Sequence, residues 1–537
     1  MKRLTFLVLL ATMISTVSAQ FKMSEASRKV MTTIAIIENM YVDDVNQEKL
    51  AEDAIKSLIQ ELDPHSTYIS ASEAKEMNEP LEGNFDGIGI SFNMMADTLY
   101  VIETIAGGPS EKVGILAGDR VIAVNDTTIA GVKMTIKNIM SRLRGPKGTN
   151  VNVKVLRRGV SDYLNFKITR AKIPIYSLDA AYMVDKNVGY IRLSRFGATT
   201  TKEFQDACKK LQKEGMTNLI LDLEGNGGGY LSAAIDLADE FLSKNKLIVY
   251  TEGIHQPKQE VQSTSKGLFE QGKLAILISE GSASASEVLS GAIQDWDRGV
   301  IIGRRSFGKG LVQRQIPLQD GSQLRLTVAR YHTPTGRSIQ RPYTNGDSNS
   351  YHLDVIERYN KGEMMNADSI HFPDSLKYQT LTNNRVVYGG GGIMPDYFVP
   401  LDTTQFSTYY YNIRAKGIIN KIALGEVDNY RKDILKKYPN IDQFKKNYVV
   451  DEKILAALKS EAENEKIEFK EEEYERSKPL IIYQIKGLMA RDLYDMEAYF
   501  KIANEESEIF KKALEIIKDD KLYNGLLKGN RDDITQK

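Results

Sequence analysis

A single cysteine, Cys208, occurs in 537 residues, so no disulfide can form within the chain. Histidine is nearly as scarce. His65, His255, His332, His352 and His371 are the only five, and none falls in a metal-ligand spacing such as HExxH. No metal centre and no cofactor is expected. Neither sign of charge is in excess: 71 Lys and Arg face 71 Asp and Glu. That balance argues against a nucleic-acid partner and against a disordered acidic tail. Beyond the first twenty residues, no stretch reaches the about 18 consecutive apolar residues of a membrane-spanning helix. Apolar residues at 42% and charged residues at 26% are ordinary for a soluble globular protein. The length exceeds one ordinary domain, and about three or four are expected.

The first twenty residues differ from the rest. Lys2 and Arg3 make a positive start, Leu4 to Val17 is mostly apolar, and Val17-Ser-Ala19 is a small-residue cleavage pattern. The stretch reads as a secretory signal peptide cut after Ala19, with an uncleaved anchor as the alternative. No Cys follows it, which excludes lipid anchoring there.

Hydrophobic spacing organises the rest of the chain. Val30 to Tyr41 and Gln47 to Leu62 carry apolar residues three and four apart, as helices do, until Asp63-Pro64-His65 breaks the pattern. His65 reads as a turn or packing residue, with catalysis the minor alternative. Residues 82 to 170 change to short β-type runs: Gly89–Phe92, Thr98–Ile102, Arg120–Asn125, Val151–Val155 and Tyr163–Ile168. With a helical pattern from Met134 to Leu143, they form a small β-rich module. From 171 to 340 strands and helices alternate. The strands are Val188–Leu193, Asn218–Leu223, Leu274–Ile278 and Val300–Gly303, and the helices Thr201–Glu214, Leu231–Leu242 and Ser286–Gln294. That rhythm implies a largely parallel sheet covered by helices. Residues 342 to 388 look like a polar, irregular insertion, and 406 to 537 are helix-rich and charged.

Chemistry concentrates between Leu274 and Gln313. A buried strand ends at Ser279-Glu280, a turn of small residues comes next (Gly281-Ser-Ala-Ser284), and a helix begins near Ser286. A serine at such a turn can stand exposed, with free amides at the helix start to receive an oxyanion. The competing reading is a capping box, Ser284-Ala-Ser-Glu287, and this segment alone favours the cap. The next strand shifts the balance. It leads into Ser306-Phe-Gly-Lys309-Gly, a lysine flanked by glycines where backbone can approach closely. Lysine can serve a serine as base if desolvation keeps it neutral. Gln313, four residues on, shares its face and can hold the amine.

The run Gly281-Ser-Ala-Ser-Ala-Ser-Glu287, with Phe307-Gly-Lys-Gly310 and Gln313, resembles the C-terminal processing proteases, also called tail-specific proteases. Ser284 and Lys309 are 25 residues apart, as are that family's nucleophile and base. Leu62-Asp-Pro-His-Ser66, Tyr331–Gln340 and Gly392-Ile-Met-Pro-Asp396 also look like the family's, so the resemblance spans about 30 to 400. It implies Ser284 as nucleophile, Lys309 as general base and Gln313 as the residue orienting it. Spacing to Lys309 selects Ser284 over Ser282 and Ser286. Asp295 lies where some members carry a supporting aspartate, although a helix C-terminal aspartate is more often structural. The Asp222–Gly229 turn matches the family's oxyanion loop, implying the amides of Gly228 and Ala285 as donors. A phosphate loop is discounted because the Lys-Ser/Thr ending is missing.

The β-rich module resembles a PDZ domain. Gly87-Ile-Gly-Ile90 looks like its carboxylate-binding loop, with the amides of Ile88, Gly89 and Ile90 holding a C-terminal carboxylate. Arg144 sits where some relatives couple tail binding to the active site, and an exposed loop arginine is the equal alternative. The expected fold is multidomain α+β: an α/β serine-protease core of βαβ units, an inserted β-rich PDZ-like domain, and helical N- and C-terminal segments. The expected boundaries are signal peptide 1–19, N-terminal helical segment 20–81, PDZ-like domain 82–170, protease core 171–405 with the insertion 342–388, and C-terminal helical domain 406–537. The expected activity is that of an exported, periplasmic serine endopeptidase acting through an acyl-enzyme. Its partners would be proteins or peptides with apolar, unstructured C-terminal tails. An adaptor protein and homo-oligomers through the helical termini are open. Rival readings are a non-catalytic scaffold, which would need Ser284 or Lys309 to be missing, and a hydrolase using a histidine as base.

Overall fold

The computed structural model describes residues 23–529. The expected leader and its cut after Ala19 lie outside the described residues.

Alternation in Asn150-Val-Asn-Val-Lys-Val155 puts every valine on one face, and the strand Asn150–Leu156 buries that face alone. It joins an antiparallel sheet in the order Ile90–Met95, Thr98–Thr104, Arg120–Val124, Asn150–Leu156, Leu164–Thr169. The helix Ile136–Leu143, capped by Thr135, closes a small core with Leu99, Val101, Val121, Val153 and Ile139. The module hangs from a two-stranded neck, Asn84–Gly87 paired with Ala171–Pro174.

Runs buried on both faces build the larger core. Val188–Leu193, Asn218–Asp222, Leu274–Ile278 and Val300–Gly303 lie parallel in one sheet, with Leu178–Met183 antiparallel at one edge and Tyr397–Phe398 parallel at the other. Residues pointing to one side (Ile191, Leu221, Ile276, Ile301) pack under the helices Thr200–Lys213, Leu231–Asp239 and Ala285–Asp295. Residues pointing to the other (Tyr190, Ile220, Leu277, Ile302) pack on Ile509, Phe510, Ala513 and Ile516 near the chain's end. The sheet's second face is therefore covered from the C-terminal region, which sequence periodicity did not reveal.

A second sheet has no counterpart in the sequence reading. In the hairpin Leu311–Pro317 with Gln323–His332, the second strand also pairs along its other edge, at its start with Thr67–Ile69, brought from the N-terminal segment, and at its end with Leu247–Gly253. Its strands are half-exposed and polar, so they carry little hydrophobic signal.

The remaining helices, 408 to 506, form a bundle around Tyr409, Phe444, Tyr474, Ile485 and Met489. It touches the β-rich module. Leu424 packs on Tyr100 and Ile102, and Asp428 pairs with Arg120 at 2.5 Å and Arg158 at 3.6 Å.

Cys208 is fully buried inside the core, and burial, reinforced by the charge of Glu240, pushes its thiol up to about 11. On the order of one thiol in a thousand is then ionised at pH 8. We predict that Cys208 in the native chain resists an aromatic disulfide reagent for hours and reacts with one equivalent once denatured. Rapid native labelling would mean that the Thr200–Lys213 helix opens readily.

Candidate active site

The strand Leu274–Ile278 is wholly buried, and its end points the adjoining turn at a cleft. Three serines in that turn and helix start compete on paper. Two of them are bonded within the structure: Ser282 Oγ donates to the Leu223 carbonyl at 2.7 Å, and Ser286 Oγ to the Asn226 carbonyl at 2.8 Å, both fully buried. Ser284 alone is partly exposed, and it lines the cleft.

Its backbone is exceptional. The helix-capping serines Ser24, Ser70, Ser407 and Ser507 all have extended backbones, with φ between −137 and −63°. Ser284 stands at φ 57°, ψ −110°, a region in which a side chain costs about 1–3 kcal/mol. The capping pair is present but lopsided. The Ser284 amide donates to Glu287 Oε2 at 2.8 Å, whereas the Glu287 amide is met by the Ser284 carbonyl at 2.9 Å and the hydroxyl makes no cap hydrogen bond. An ordinary cap does not need this strained backbone. A hydroxyl presented to a cleft does.

Glu287 also holds the lysine loop. Oε2 accepts the Lys309 amide at 2.9 Å, and Oε1 accepts the Gly308 amide at 2.7 Å and the Ser306 hydroxyl at 2.5 Å. Burial pushes its carboxyl pKa up, and these four donors oppose the push. Gly308 has φ +90°, and a Cβ there would press on Arg341 and the Gly392 amide at about 3.1–3.2 Å, so only glycine fits. Buried Tyr331 gives its one hydroxyl proton to the Lys309 carbonyl at 2.6 Å, with the Ser284 carbonyl 3.3 Å from the same oxygen, so it bridges both turns from the opposite side.

The Lys309 amine donates to Gln313 Oε1 at 3.0 Å, and the Gln313 amide donates to the His65 carbonyl. Burial, and then the like charge of Arg325, brings the Lys309 pKa down to about 8, against smaller pulls from Glu287 and Asp63. Ser284, Ala285, Lys309, Gln313, Arg325 and Tyr331 share one cleft of about 360 Å³, closed on its apolar side by Leu81, Tyr230, Leu231 and Val288. No histidine lines it. The His65 ring instead bonds Tyr351 at 2.9 Å, and burial holds its pKa down to about 4. The reading of His65 as a turn residue is incomplete: its backbone carbonyl enters the site.

Of the expected oxyanion donors, Ala285 lines the cleft, while the Gly228 amide is already given to Asn226 Oδ1 at 2.9 Å. Gly228 nevertheless abuts the Ser284 turn. A Cβ on it would come within 2.9 Å of both the Ala285 amide and the Ser284 side chain. Asp295 is spent on structure, in a fully buried pair with Arg337 at 2.8 Å and a bond from Thr335 Oγ1 at 2.8 Å.

The β-rich module's loop lies apart from the cleft. Gly89 has φ +74°, and the Ile88 carbonyl accepts from Ser110 Oγ at 2.7 Å, which fixes the loop between Gly87 and Ile90. Arg144 lies beside it, its stem near Gly87 and its guanidinium 4.5 Å over Phe85. Its ion pair goes to Glu79 at 2.5 Å. Glu79 sits on the helix Ala71–Glu82, which also carries Leu81 into the cleft and Asn78 onto Gln315 at 3.0 Å. One helix thus touches both Arg144 and the cleft. Sequence reasoning noted Glu287 only as a capping acid and missed Arg325, Leu81 and the contact roles of Tyr331 and His65. Only Glu287 carried a local signal.

Comparison with known proteins gives a consistent order along the chain. Residues 187–349 match peptidase family S41, 87–168 match a PDZ domain, 10–73 match the N-terminal domain of the activating protease CtpB, and 409–495 match a family of unknown function. A carboxy-terminal-processing protease of Bartonella bacilliformis is 39% identical over 309 residues, 57% of this chain and 70% of its own. The carboxy-terminal processing protease CtpB of Bacillus subtilis is 32% identical over 332 residues, 61% of this chain and 68% of its own. Among solved structures, the photosystem II D1 C-terminal processing protease is 27% identical and covers 59% of this chain and 91% of that one, with a TM-score of 0.34.

Arg325→Gln removes the like charge that, after burial, does most to hold Lys309 down. The amine's midpoint, near pH 8 in the unaltered chain, is expected to move to higher pH. Competitive acetylation of Lys309 across a pH series, followed by mass spectrometry, reads it directly. A midpoint that stays put or falls would show that Arg325 does not set it.

Proposed function

The chain belongs to the carboxy-terminal processing proteases of peptidase family S41, serine peptidases that here carry a PDZ domain, and from that premise we propose an exported endopeptidase that cleaves with Ser284 and Lys309 through an acyl-enzyme. The observation that carries this reading is the single carboxylate of Glu287, which accepts the amides of both Ser284 and Lys309 on one oxygen and so sets the two side chains in one cleft.

In this mechanism neutral Lys309 takes the proton of Ser284 Oγ as the oxygen attacks the scissile carbonyl carbon. With a pKa near 8, about one molecule in ten has the neutral amine at pH 7. Gln313, held by the His65 carbonyl, points the amine. The oxyanion is received by the amides of Ala285 and Gly228, the latter shared with Asn226. Collapse breaks the peptide bond, and the leaving amine takes the proton from the Lys309 ammonium. Water then attacks the Ser284 ester, giving one proton to Lys309, which returns it to Ser284 Oγ as the acid departs.

Substrate tails add to the PDZ domain at Gly87–Ile90, the carboxylate resting on the amides of Ile88, Gly89 and Ile90. Arg144, beside that loop, couples a bound tail to the cleft through the helix that carries Glu79 and Leu81. Export rests on the leader with its cut after Ala19. Among the described residues no helix is long and apolar enough to cross a membrane. The helix Glu25–Met40 buries none of its residues and exposes Met31, Ile36 and Met40, which supports a contact with a second copy there.

We expect Ser284→Ala and Lys309→Ala each to lower kcat on an unstructured protein substrate by about 10³ or more, with melting temperature unchanged. Activity within about tenfold of the parent in Lys309→Ala would remove the Ser–Lys assignment.

Amidating the C-terminus of a tailed substrate should raise KM several-fold in the full chain and leave kcat unchanged. Arg144→Ala should instead lower kcat on tailed substrates. Equal KM for acid and amide substrates would count against carboxylate capture.

A further inference from the structure

The 342–388 segment reads in sequence as a polar insertion, but its helix Ser348–Asn360 is seated on the back of the lysine loop. Arg358, buried, donates to the carbonyls of Arg305 at 2.8 Å and Ser306 at 3.1 Å. Arg341, also buried, lies 4.0 Å over Phe307 and 3.8 Å over Tyr351, and donates to the Tyr351 carbonyl at 2.6 Å. Tyr351 itself is 4% exposed and is not among the residues lining the cleft.

We propose that Tyr351 is a positioning residue for the base, holding Lys309 through His65 and Gln313; this rests on the assignment of Ser284 and Lys309 as nucleophile and base. The Tyr351 hydroxyl makes two bonds: the first leads to the Lys309 amine, and the second, which reaches only backbone next to the amide and carbonyl that Glu287 and Tyr331 already hold, seats the hydroxyl itself. In the first, its hydroxyl meets His65 Nε2 at 2.9 Å and its ring meets the His65 ring edge-on at 4.9 Å. The His65 carbonyl then takes the Gln313 amide, and Gln313 Oε1 takes the Lys309 amine at 3.0 Å. In the second, Gln340 Nε2 donates to the Tyr351 hydroxyl at 3.2 Å while Gln340 Oε1 accepts the amide of Gly310, the residue after Lys309, at 2.8 Å.

Proton directions agree. The Gln340 amide donates to the phenol oxygen, so the phenol proton is free for His65 Nε2, which accepts only in a neutral ring. Burial keeps that ring neutral, with a pKa near 4. The need for such support is physical. Lysine and glutamine both have long, freely rotating side chains, and one hydrogen bond between them does not fix either. A fixed acceptor does, and the His65 carbonyl is fixed at two points. Asp63 Oδ1 holds the His65 amide at 2.8 Å, and Tyr351 holds the ring.

The test uses the full mature chain and an unstructured protein substrate, with Tyr351→Phe, Gln313→Ala and the double variant. Tyr351→Phe keeps the ring packing and removes only the hydroxyl. It is expected to lower kcat about tenfold with KM within about twofold, because a misplaced base slows the chemistry without touching the substrate. Since Tyr351 acts through Gln313, the two losses are expected not to multiply in the double variant. His65→Asn, which keeps the carbonyl and loses the ring contact, is expected to match Tyr351→Phe. An unchanged kcat in Tyr351→Phe, or losses that multiply in the double variant, overturns the proposal. Lys309→Ala in the same assay separates the two readings. If it stays active, the Ser–Lys assignment falls and takes this proposal with it. If it is inactive while the Tyr351 and Gln313 losses multiply, only the role of Tyr351 falls.

Discussion

One buried carboxylate, that of Glu287, ties together the two turns on which the site is built. It accepts the amides of Ser284, Gly308 and Lys309 and the hydroxyl of Ser306, with no exposed surface of its own. Stripping water from a carboxylate costs several kcal/mol. Hydrogen bonds to a charged acceptor return about 1.5–3 kcal/mol each, so the four donors offset much of that cost, while burial still leaves the carboxyl pKa raised. The same donors supply the rigidity. Two of them are the backbone amides of Ser284 and Lys309, so neither turn moves without breaking a bond to a buried carboxylate.

That anchoring explains why strain at Ser284 is tolerated. A serine at φ 57° relaxes if its turn is free to do so. Here the turn is held on one side by Glu287, on another by Tyr331, and below by Ser282 and Ser286, whose hydroxyls reach the carbonyls of Leu223 and Asn226. The serines that look like rivals in sequence are supports for the one that is exposed. The glycines of the 225–229 turn belong to the same arrangement, since a Cβ at Gly228 or Gly229 would overlap the Ser284 turn or Phe196.

The cleft is assembled from stretches far apart in the chain. The strand Thr67–Ile69 and the turn before it bring Asp63 and His65 against the hairpin that carries Gln313 and Arg325. The helix Ala71–Glu82 places Leu81 in the cleft and Glu79 on Arg144, so the segment joining the N-terminal helices to the PDZ domain is also a wall of the site. The second face of the core sheet is closed by residues beyond 508. Segments that look peripheral by composition are therefore part of the catalytic body.

The alternating valines of Asn150–Leu156, the fully apolar runs Leu274–Ile278 and Val300–Gly303, and the strand-turn-helix around Ser284 were all legible in sequence, because each depends on neighbours within about ten residues. So was the pairing of a serine motif with a lysine motif 25 residues on. That spacing also selected Ser284 among the three serines, but that Ser282 and Ser286 are bonded to the carbonyls of Leu223 and Asn226, that Asp295 is bound to Arg337, and that 342–388 packs against the lysine loop were not legible. Those facts depend on partners with no local pattern: the carbonyl that holds Gln313 is 248 residues away, and the hydroxyl that holds the His65 ring is 286 residues away. Periodicity reports which face of an element is buried. Only the folded chain decides what that face meets, and the depressed lysine pKa and the strained serine both arise from that meeting.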